Sequence, residues 1–378
     1  MKILALGNCP LDRRLGSGKT RLMWSEGLRA LGHEVEVLDA SMLSYRPEWR
    51  SGKKLRQALG SWLVLRKRDL RDIDLIDFSG DEFWLPTWQL SRSRQRPLLV
   101  AHTDGLELLA AERASQYNPP TTWKRRIRES VTSPVYQALS WTAFRKADVF
   151  VTLCELDRRF VIQHGLFEAD HTEVVPPGVD EEYIAATHGQ RRGLRVAYVG
   201  SWIERKGVDH LATVMTRVLR RFPEAELEVF GTGGSCDEAR AAFPGDVRLR
   251  VTVHGWLSNA EAAQRLSCAR VFFFPTQYEG FGMALSEAMA CGCAVVSTPT
   301  GFGAELIHGK EALICDFSDV AGMEHAVASL LNDEAWAAQI AEAGRKRVQQ
   351  MRWETSVRKL EQAYLRWLAE FKTSSGTA

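Results

Sequence analysis

The sequence contains no run of eighteen apolar residues, which excludes a hydrophobic helix long enough to cross a bilayer. Its opening, MKILALGNCPLDRR, lacks the layout of a secretory leader, so its short apolar run reads as a first strand. Zinc-type cysteine pairs are also missing. Cys291 and Cys293 stand only two positions apart, and no second pair matches them. The seven cysteines are an odd number and fall mostly in expected strands or helices, which argues for buried thiols and a reducing, cytoplasmic setting. Charge of one sign is scarce overall, with 49 Lys and Arg against 47 Asp and Glu. No nucleic-acid-binding fold motif accompanies the local basic clusters, so nucleic acid is not an expected partner. Internal repeats and low-complexity segments are absent as well.

What is present is a chain of 378 residues, 45% hydrophobic, long enough for two domains with sizeable cores. Short apolar runs alternate with helical patterns throughout, the signature of α/β architecture with parallel sheets. Strands are expected at Ile3–Leu6, Val35–Leu38, Leu75–Phe78, Leu98–Ala101, Val149–Leu153 and Thr172–Val175. A helix is expected from about Lys19 to Leu31, after a loop through Gly16-Ser17-Gly18. Pro176-Pro177-Gly178 breaks the pattern, and a polar stretch follows to Gly193. A second series then begins at Arg195–Val199 and continues through Leu227–Phe230, Arg250–Val253, Val271–Phe274, Ala294–Ser297 and Ala312–Cys315. The reading is two doubly wound, Rossmann-like domains, 1–180 and 194–352, joined by a linker at 181–193. The segment 353–378 supplies a last helix, with Val357, Leu360, Tyr364 and Leu368 on one face, and a tail.

The most informative stretch is PTQYEGFGMALSEAMACG at 275–292. Glu279 falls at the carboxyl end of the strand Val271–Phe274, and Glu287 about one turn into the helix that starts near Met283. In an open α/β sheet that edge is where ligands bind. Two acceptor-only carboxylates there suit a polyhydroxylated ligand, because each accepts hydrogen bonds from a vicinal diol.

This string, continuing through Val295-Val296-Ser297 and Gly301-Phe302-Gly303-Ala304-Glu305, resembles the retaining glycosyltransferases of family 4, whose fold is the two-domain GT-B arrangement around a cleft. The resemblance extends over nearly the whole chain. It implies that Glu287 binds the ribose hydroxyls and Glu279 the sugar hydroxyls of a nucleotide-sugar donor, a UDP- or GDP-sugar. Phe281, Gly282 and Met283 would offer backbone amides beside them. Gly200-Ser201-Trp202-Ile203-Glu204-Arg205-Lys206-Gly207 looks like the segment that holds the donor's diphosphate. Lys206 matches the family's lysine, Ser201 stands where an arginine is expected, and Arg205 is the candidate replacement. His102, in Leu99-Val100-Ala101-His102-Thr103-Asp104-Gly105, resembles a histidine near the donor sugar, while Asp104 beside a glycine is read first as a turn residue. Gly231 and Gly233 resemble a loop near the nucleotide, and Trp256 a segment that meets the base. Gly16 and Gly18 correspond to a glycine-rich loop facing phosphate or sugar. Gly16-Ser17-Gly18-Lys19-Thr20 also imitates a nucleotide triphosphatase loop, but Arg13 occupies the position of its first glycine.

The resemblance further implies retention of configuration, no metal or other cofactor, and a terminal helix that crosses back onto the first domain. Closing of the domains would exclude water and suppress donor hydrolysis. Its alternatives are a same-fold epimerase or phosphorylase, or a binding protein without activity. Residues 1–150 hold 25 Lys and Arg against 17 Asp and Glu, and Arg46–Arg71 nine against two. Leu55, Leu59, Trp62 and Leu63 share a helical face bordered by these cations, the pattern of an interfacial helix on anionic lipid across Lys53–Arg71. Lys124-Arg125-Arg126 and Arg128 would extend it. A domain helix with a solvated basic face is the other reading. A glycan or glycolipid acceptor and a peripheral position on the inner face of the membrane follow from the first.

Overall fold

The computed structural model describes residues 1–46, 48–49, 52–93, 95–117, 134–135, 137–186 and 193–375. It separates into two compact units, Met1–Pro177 with Trp353–Ala378, and Gly178–Arg352.

In the first unit the strands β1 (Lys2–Leu6), β2 (Glu34–Leu38), β3 (Leu75–Ser79), β4 (Leu98–Thr103), β5 (Val149–Thr152) and β6 (Thr172–Val174) form one sheet, ordered β2-β1-β3-β4-β5-β6. Every pairing is parallel. β3, β4 and β5 are buried at all positions, which is why they read as near-continuous apolar runs. The second unit repeats the design with β7 (Arg195–Val199), β8 (Glu226–Phe230), β9 (Val251–Val253), β10 (Val271–Phe274), β11 (Ala294–Ser297) and β12 (Leu313–Ile314). Their order is β12-β11-β10-β7-β8-β9, again all parallel. Strand order therefore reverses between β1 and β3 in one sheet and between β7 and β10 in the other. Loops leaving the carboxyl ends of such strand pairs diverge and leave room for a ligand.

The helix Gly16–Ala30 begins three residues earlier than its apolar pattern suggests. Gly18 lies inside its first turn and faces the preceding loop so closely that a Cβ would stand 2.6 Å from the Pro10 carbonyl oxygen. Low helix propensity at Gly18 is thus overridden by a packing contact that only glycine allows. The terminal helix Trp353–Ser375 belongs to the first unit. It buries Val357, Leu360, Tyr364 and Leu368, the face its spacing marks out. Each such burial is worth roughly 1.5–3 kcal/mol. Trp24 Nε1 donates to Ser356 Oγ at 2.9 Å, and Ser356 Oγ donates to the Pro176 carbonyl at 2.6 Å. Within 181–193 the helix Glu181–Ile184 belongs to the second unit, whereas 187–192 lie outside the described residues.

Candidate functional site

The second unit's switch point carries charge from both of its strands. After β7 the chain makes a tight turn at Glu204–Lys206 and ends it at Gly207, whose φ of 69° is the left-handed conformation. After β10 it runs through Pro275 to Gly282, which caps the helix Met283–Ala290. The two loops meet at their side chains. Lys206 Nζ donates to Glu279 Oε1 at 2.7 Å and to Oε2 at 2.8 Å. Thr276 Oγ1 donates to Glu279 Oε1 at 2.7 Å, and the Glu279 amide donates to Thr300 Oγ1 at 2.9 Å. The backbones are tied as well. The Gln277 amide donates to the Arg205 carbonyl at 2.9 Å, and Arg205 Nη1 donates to the Tyr278 carbonyl at 3.3 Å.

Only 8% of the Glu279 side chain is exposed. A carboxylate taken so far from water needs a cation and hydrogen bonds, and Lys206 with Thr276 provides them. An ammonium has three N–H donors, of which Glu279 takes two. Tyr198, beneath the turn, has its phenol raised above the ordinary range by burial and by the Glu279 charge, so it stays neutral.

Around this pair the other sequence-derived candidates sit on adjacent strand ends. Phe281 stacks on Phe302 with centroids 5.1 Å apart, and the Phe302 amide donates to the Phe281 carbonyl at 2.8 Å. Met283 opens the helix on which Glu287 lies half-buried. The Gly231 amide, past β8, donates to the Gly255 carbonyl at 3.0 Å, joining that loop to the end of β9. Trp256, 43% exposed, lies against Gly233. Glu279 and Lys206 are thus in direct contact, with Arg205 held to the neighbouring Tyr278 carbonyl, while Gly231, Gly233 and Trp256 form a neighbouring group past β8 and β9.

The first unit holds a separate constellation at the ends of β3 and β4. Arg21, from the first helix, is buried and forms a two-pronged pair with Asp77, Nη1 to Oδ2 at 2.7 Å and Nη2 to Oδ1 at 3.0 Å. The same guanidinium donates to Ser79 Oγ and, at 2.8 Å, to His102 Nδ1. Tyr364 of the terminal helix donates its hydroxyl to Asp77 Oδ2 at 2.5 Å. An arginine can only donate, so His102 Nδ1 is the acceptor and the ring proton sits on Nε2. Burial, then the Arg21 charge, pull the imidazole down to about 3, with Asp77 opposing. His102 is therefore neutral, and its side chain has no exposed surface. Its Nε2 faces Asp104 Oδ1 at 3.5 Å.

Gly16 is exposed at the helix start, whereas Gly18 is spent on the Pro10–Asp12 contact. The buried Arg21–Asp77–Tyr364 network was invisible to spacing, since its members lie 56 and 287 positions apart in pairs. A buried Asp at the third position of an apolar strand, LIDFS, was the available signal.

On the basic surface, the helix Lys53–Arg66 buries Gln57, Ala58, Gly60, Ser61 and Leu65 and leaves Leu55 61% exposed. Leu59, Trp62 and Leu63 are half-buried. Lys54 pairs with the buried Asp81 at 2.9 Å, and Arg68 with Glu36 at 2.6 Å, so an acidic partner offsets each of these two charges. The Lys124–Arg128 cluster lies outside the described residues.

Comparison with known proteins agrees with this geometry. The family model described as glycosyl transferases group 1 matches residues 193–333, and that described as glycosyltransferase family 4 matches residues 16–183. An uncharacterized glycosyltransferase, YqgM, of Bacillus subtilis is 27% identical over 72% of this chain and 78% of its own. The GDP-mannose-dependent alpha-(1-6)-phosphatidylinositol monomannoside mannosyltransferase of Mycobacterium tuberculosis is 31% identical over 50% of this chain, and the match spans 54% of that protein. In structure, the chain aligns with sucrose-phosphate synthase of Thermosynechococcus elongatus at a TM-score of 0.77, 19% identity, covering 98% of this chain and 100% of the other. The fold is GT-B, and the chain belongs to the group 1, family 4 glycosyltransferases.

Proposed function

We propose that this enzyme moves a sugar from a UDP- or GDP-sugar to a hydroxyl of a glycan or glycolipid acceptor, with retention and without a metal, in bacterial cell-surface glycan or lipopolysaccharide synthesis. The observation that carries the reading is the Lys206–Glu279 pair at the carboxyl ends of β7 and β10. As the sugar departs, negative charge gathers on the diphosphate, and Lys206, with Arg205 one residue away, is the cation set to receive it. Glu279 would take hydroxyls of the donor sugar and Glu287 those of the ribose. Amides at the start of the helix Met283–Ala290 would face the phosphates.

Both oxygens of Glu279 are engaged by Lys206 and Thr276, which favours a hydrogen-bonding role over attack on the anomeric carbon. In the step we favour, the acceptor oxygen bonds to that carbon as its bond to the diphosphate oxygen breaks on the same face. The acceptor proton passes to the departing phosphate. Metal independence rests on Lys206 serving as the countercharge, and transfer is expected to survive a chelator.

Thermal shift against a panel that includes GDP-mannose and UDP-glucose identifies the donor, since bound ligand raises the melting temperature. Glu287→Ala is then expected to weaken that donor about 10- to 100-fold, the loss of one or two charge-assisted hydrogen bonds. An unchanged dissociation constant in this variant contradicts the assignment.

A glycolipid acceptor is favoured by the surface around Leu55. Trp49 and Trp88 of the same unit are 51% and 38% exposed, and Arg46 and Arg92 lie over their rings. No described helix is long and apolar enough to cross a membrane, so contact would be interfacial. Sedimentation with phosphatidylglycerol vesicles should capture the protein, and Lys53→Glu with Lys67→Glu should weaken capture more than 10-fold, at ~1 kcal/mol per cation. Equal capture of the wild type and the double variant rules the surface out.

A further inference from the structure

At the end of β4 two polar atoms stand together without partners. His102 Nε2 and Asp104 Oδ1 are buried, make no hydrogen bond among the described residues, and lie 3.5 Å apart. Nε2 carries the ring proton, because Nδ1 accepts from Arg21. One of the two atoms is thus a donor and the other an acceptor. The Nε2–H therefore faces the carboxylate and fixes its orientation, and the part of Asp104 that reaches the surface is an acceptor for a donor on a ligand, which among neutral sugar substituents is a hydroxyl. Leaving such an acceptor unsatisfied once a ligand covers it is costly, so a site of this kind discriminates in favour of a ligand that donates to it.

Exposure decides which residue meets the ligand. The His102 side chain has none, whereas 16% of the Asp104 side chain reaches the surface. We propose that Asp104 is the ligand-contacting group of the first unit, taking a hydroxyl of a neutral sugar, and that His102 is a positioning residue that acts through it. The proposal rests on the transfer reading above and adds a specificity to it. A uronic acid would set its carboxylate against Asp104, and a deoxy sugar would leave the Asp104 acceptor unpaired.

The charged and titratable groups around Asp104 come from every neighbouring element: Arg21 on the first helix, Asp77 on β3, His102 on β4, and the Cys9 thiol after β1. Burial raises the Asp104 carboxyl to about 7, with Arg21 opposing and Asp77 assisting. Above that pH the carboxylate accepts from the hydroxyl, while below it the neutral acid loses that strength.

Two measurements on the full chain test this. In protein labelled with 15N-histidine, the resonance lost in His102→Gln reports the ring's tautomer. A neutral ring protonated at Nε2 from pH 5.5 to 9 is expected; a proton on Nδ1, or an imidazolium at pH 7, overturns the proposal. Secondly, kcat/KM for GDP-mannose or UDP-glucose, whichever is turned over, is expected to rise about 10-fold through pH 7 in the wild type and to stay flat in Asp104→Asn. His102→Gln, which keeps an N–H toward Asp104, should keep the step, and His102→Phe should lose it. A wild-type profile in Asp104→Asn overturns the proposal. Absence of turnover with every nucleotide sugar would defeat the transfer reading instead, and the tautomer measurement would still decide this one.

Discussion

Gly207→Ala is expected to lower the melting temperature sharply and to remove most donor affinity. Gly207 sits between Lys206 and the helix Val208–Arg221 at φ 69° and ψ 31°, where an L-residue costs about 1–2 kcal/mol. The larger cost is spatial. A Cβ there would stand 1.6 Å from the Pro275 carbonyl oxygen and 2.7 Å from its carbon, so backbone must separate from backbone. The loops that must part carry Lys206 and Glu279, joined at 2.7 Å. Strain and lost contacts together should cost about 3 kcal/mol or more. A displacement of about 1 Å at the reacting groups is worth about 100-fold in rate. Calorimetry and steady-state kinetics check both parts. An alanine variant with the wild-type melting temperature and donor KM would mean that the approach of these loops does not set the site.

The same loops show how much was legible beforehand. Val271–Phe274 and Ala294–Ser297 are strands with the bounds their apolar runs suggest, because central parallel strands are buried on both faces. At the sheet edge the signal weakens: β12 is only Leu313–Ile314, although Ala312–Cys315 reads as apolar. The glutamates and Lys206 were found through motif resemblance. Nothing local in the sequence says that Lys206 would hold Glu279 across 73 positions. Asp104 reads first as a turn residue because an Asp-Gly pair usually is one. Its burial beside Arg21, Asp77 and His102 arises only in three dimensions. Tyr364 was assigned to an apolar helical face, which is correct for its ring and silent about its hydroxyl. Periodicity detects where carbon is buried, and the polar atoms buried with it leave almost no trace.

Arg21→Met should be the most destabilising substitution in the first unit, and its cost should depend on pH. Arg21 and Asp77 each have 3% of the side chain exposed. Burial alone would raise the Asp77 carboxyl, yet the Arg21 charge, His102 and the hydrogen bonds from Arg21 and Tyr364 hold it below its ordinary value. A carboxyl lowered in the folded state contributes stability that is present above its unfolded value of 3.8 and is lost as pH falls through the folded one. Without Arg21, burial is the largest influence left and raises the carboxyl, so the sign reverses: Asp77 then opposes folding at pH 8, and less so as falling pH protonates it. Breaking a buried pair from one side costs about 3–5 kcal/mol. Arg21→Met should show most of that at pH 8 and distinctly less at pH 5, in urea unfolding followed by far-UV circular dichroism. Removing both charges, in Arg21→Met with Asp77→Leu, should recover part of the loss, because the orphaned carboxylate is gone. A double variant no more stable than the single one would show that Arg21 matters for its contacts to Ser79 and His102 rather than for its charge. The imidazole gives an independent reading: freed of the Arg21 charge, His102 should become easier to protonate, and its titration should move up from about 3.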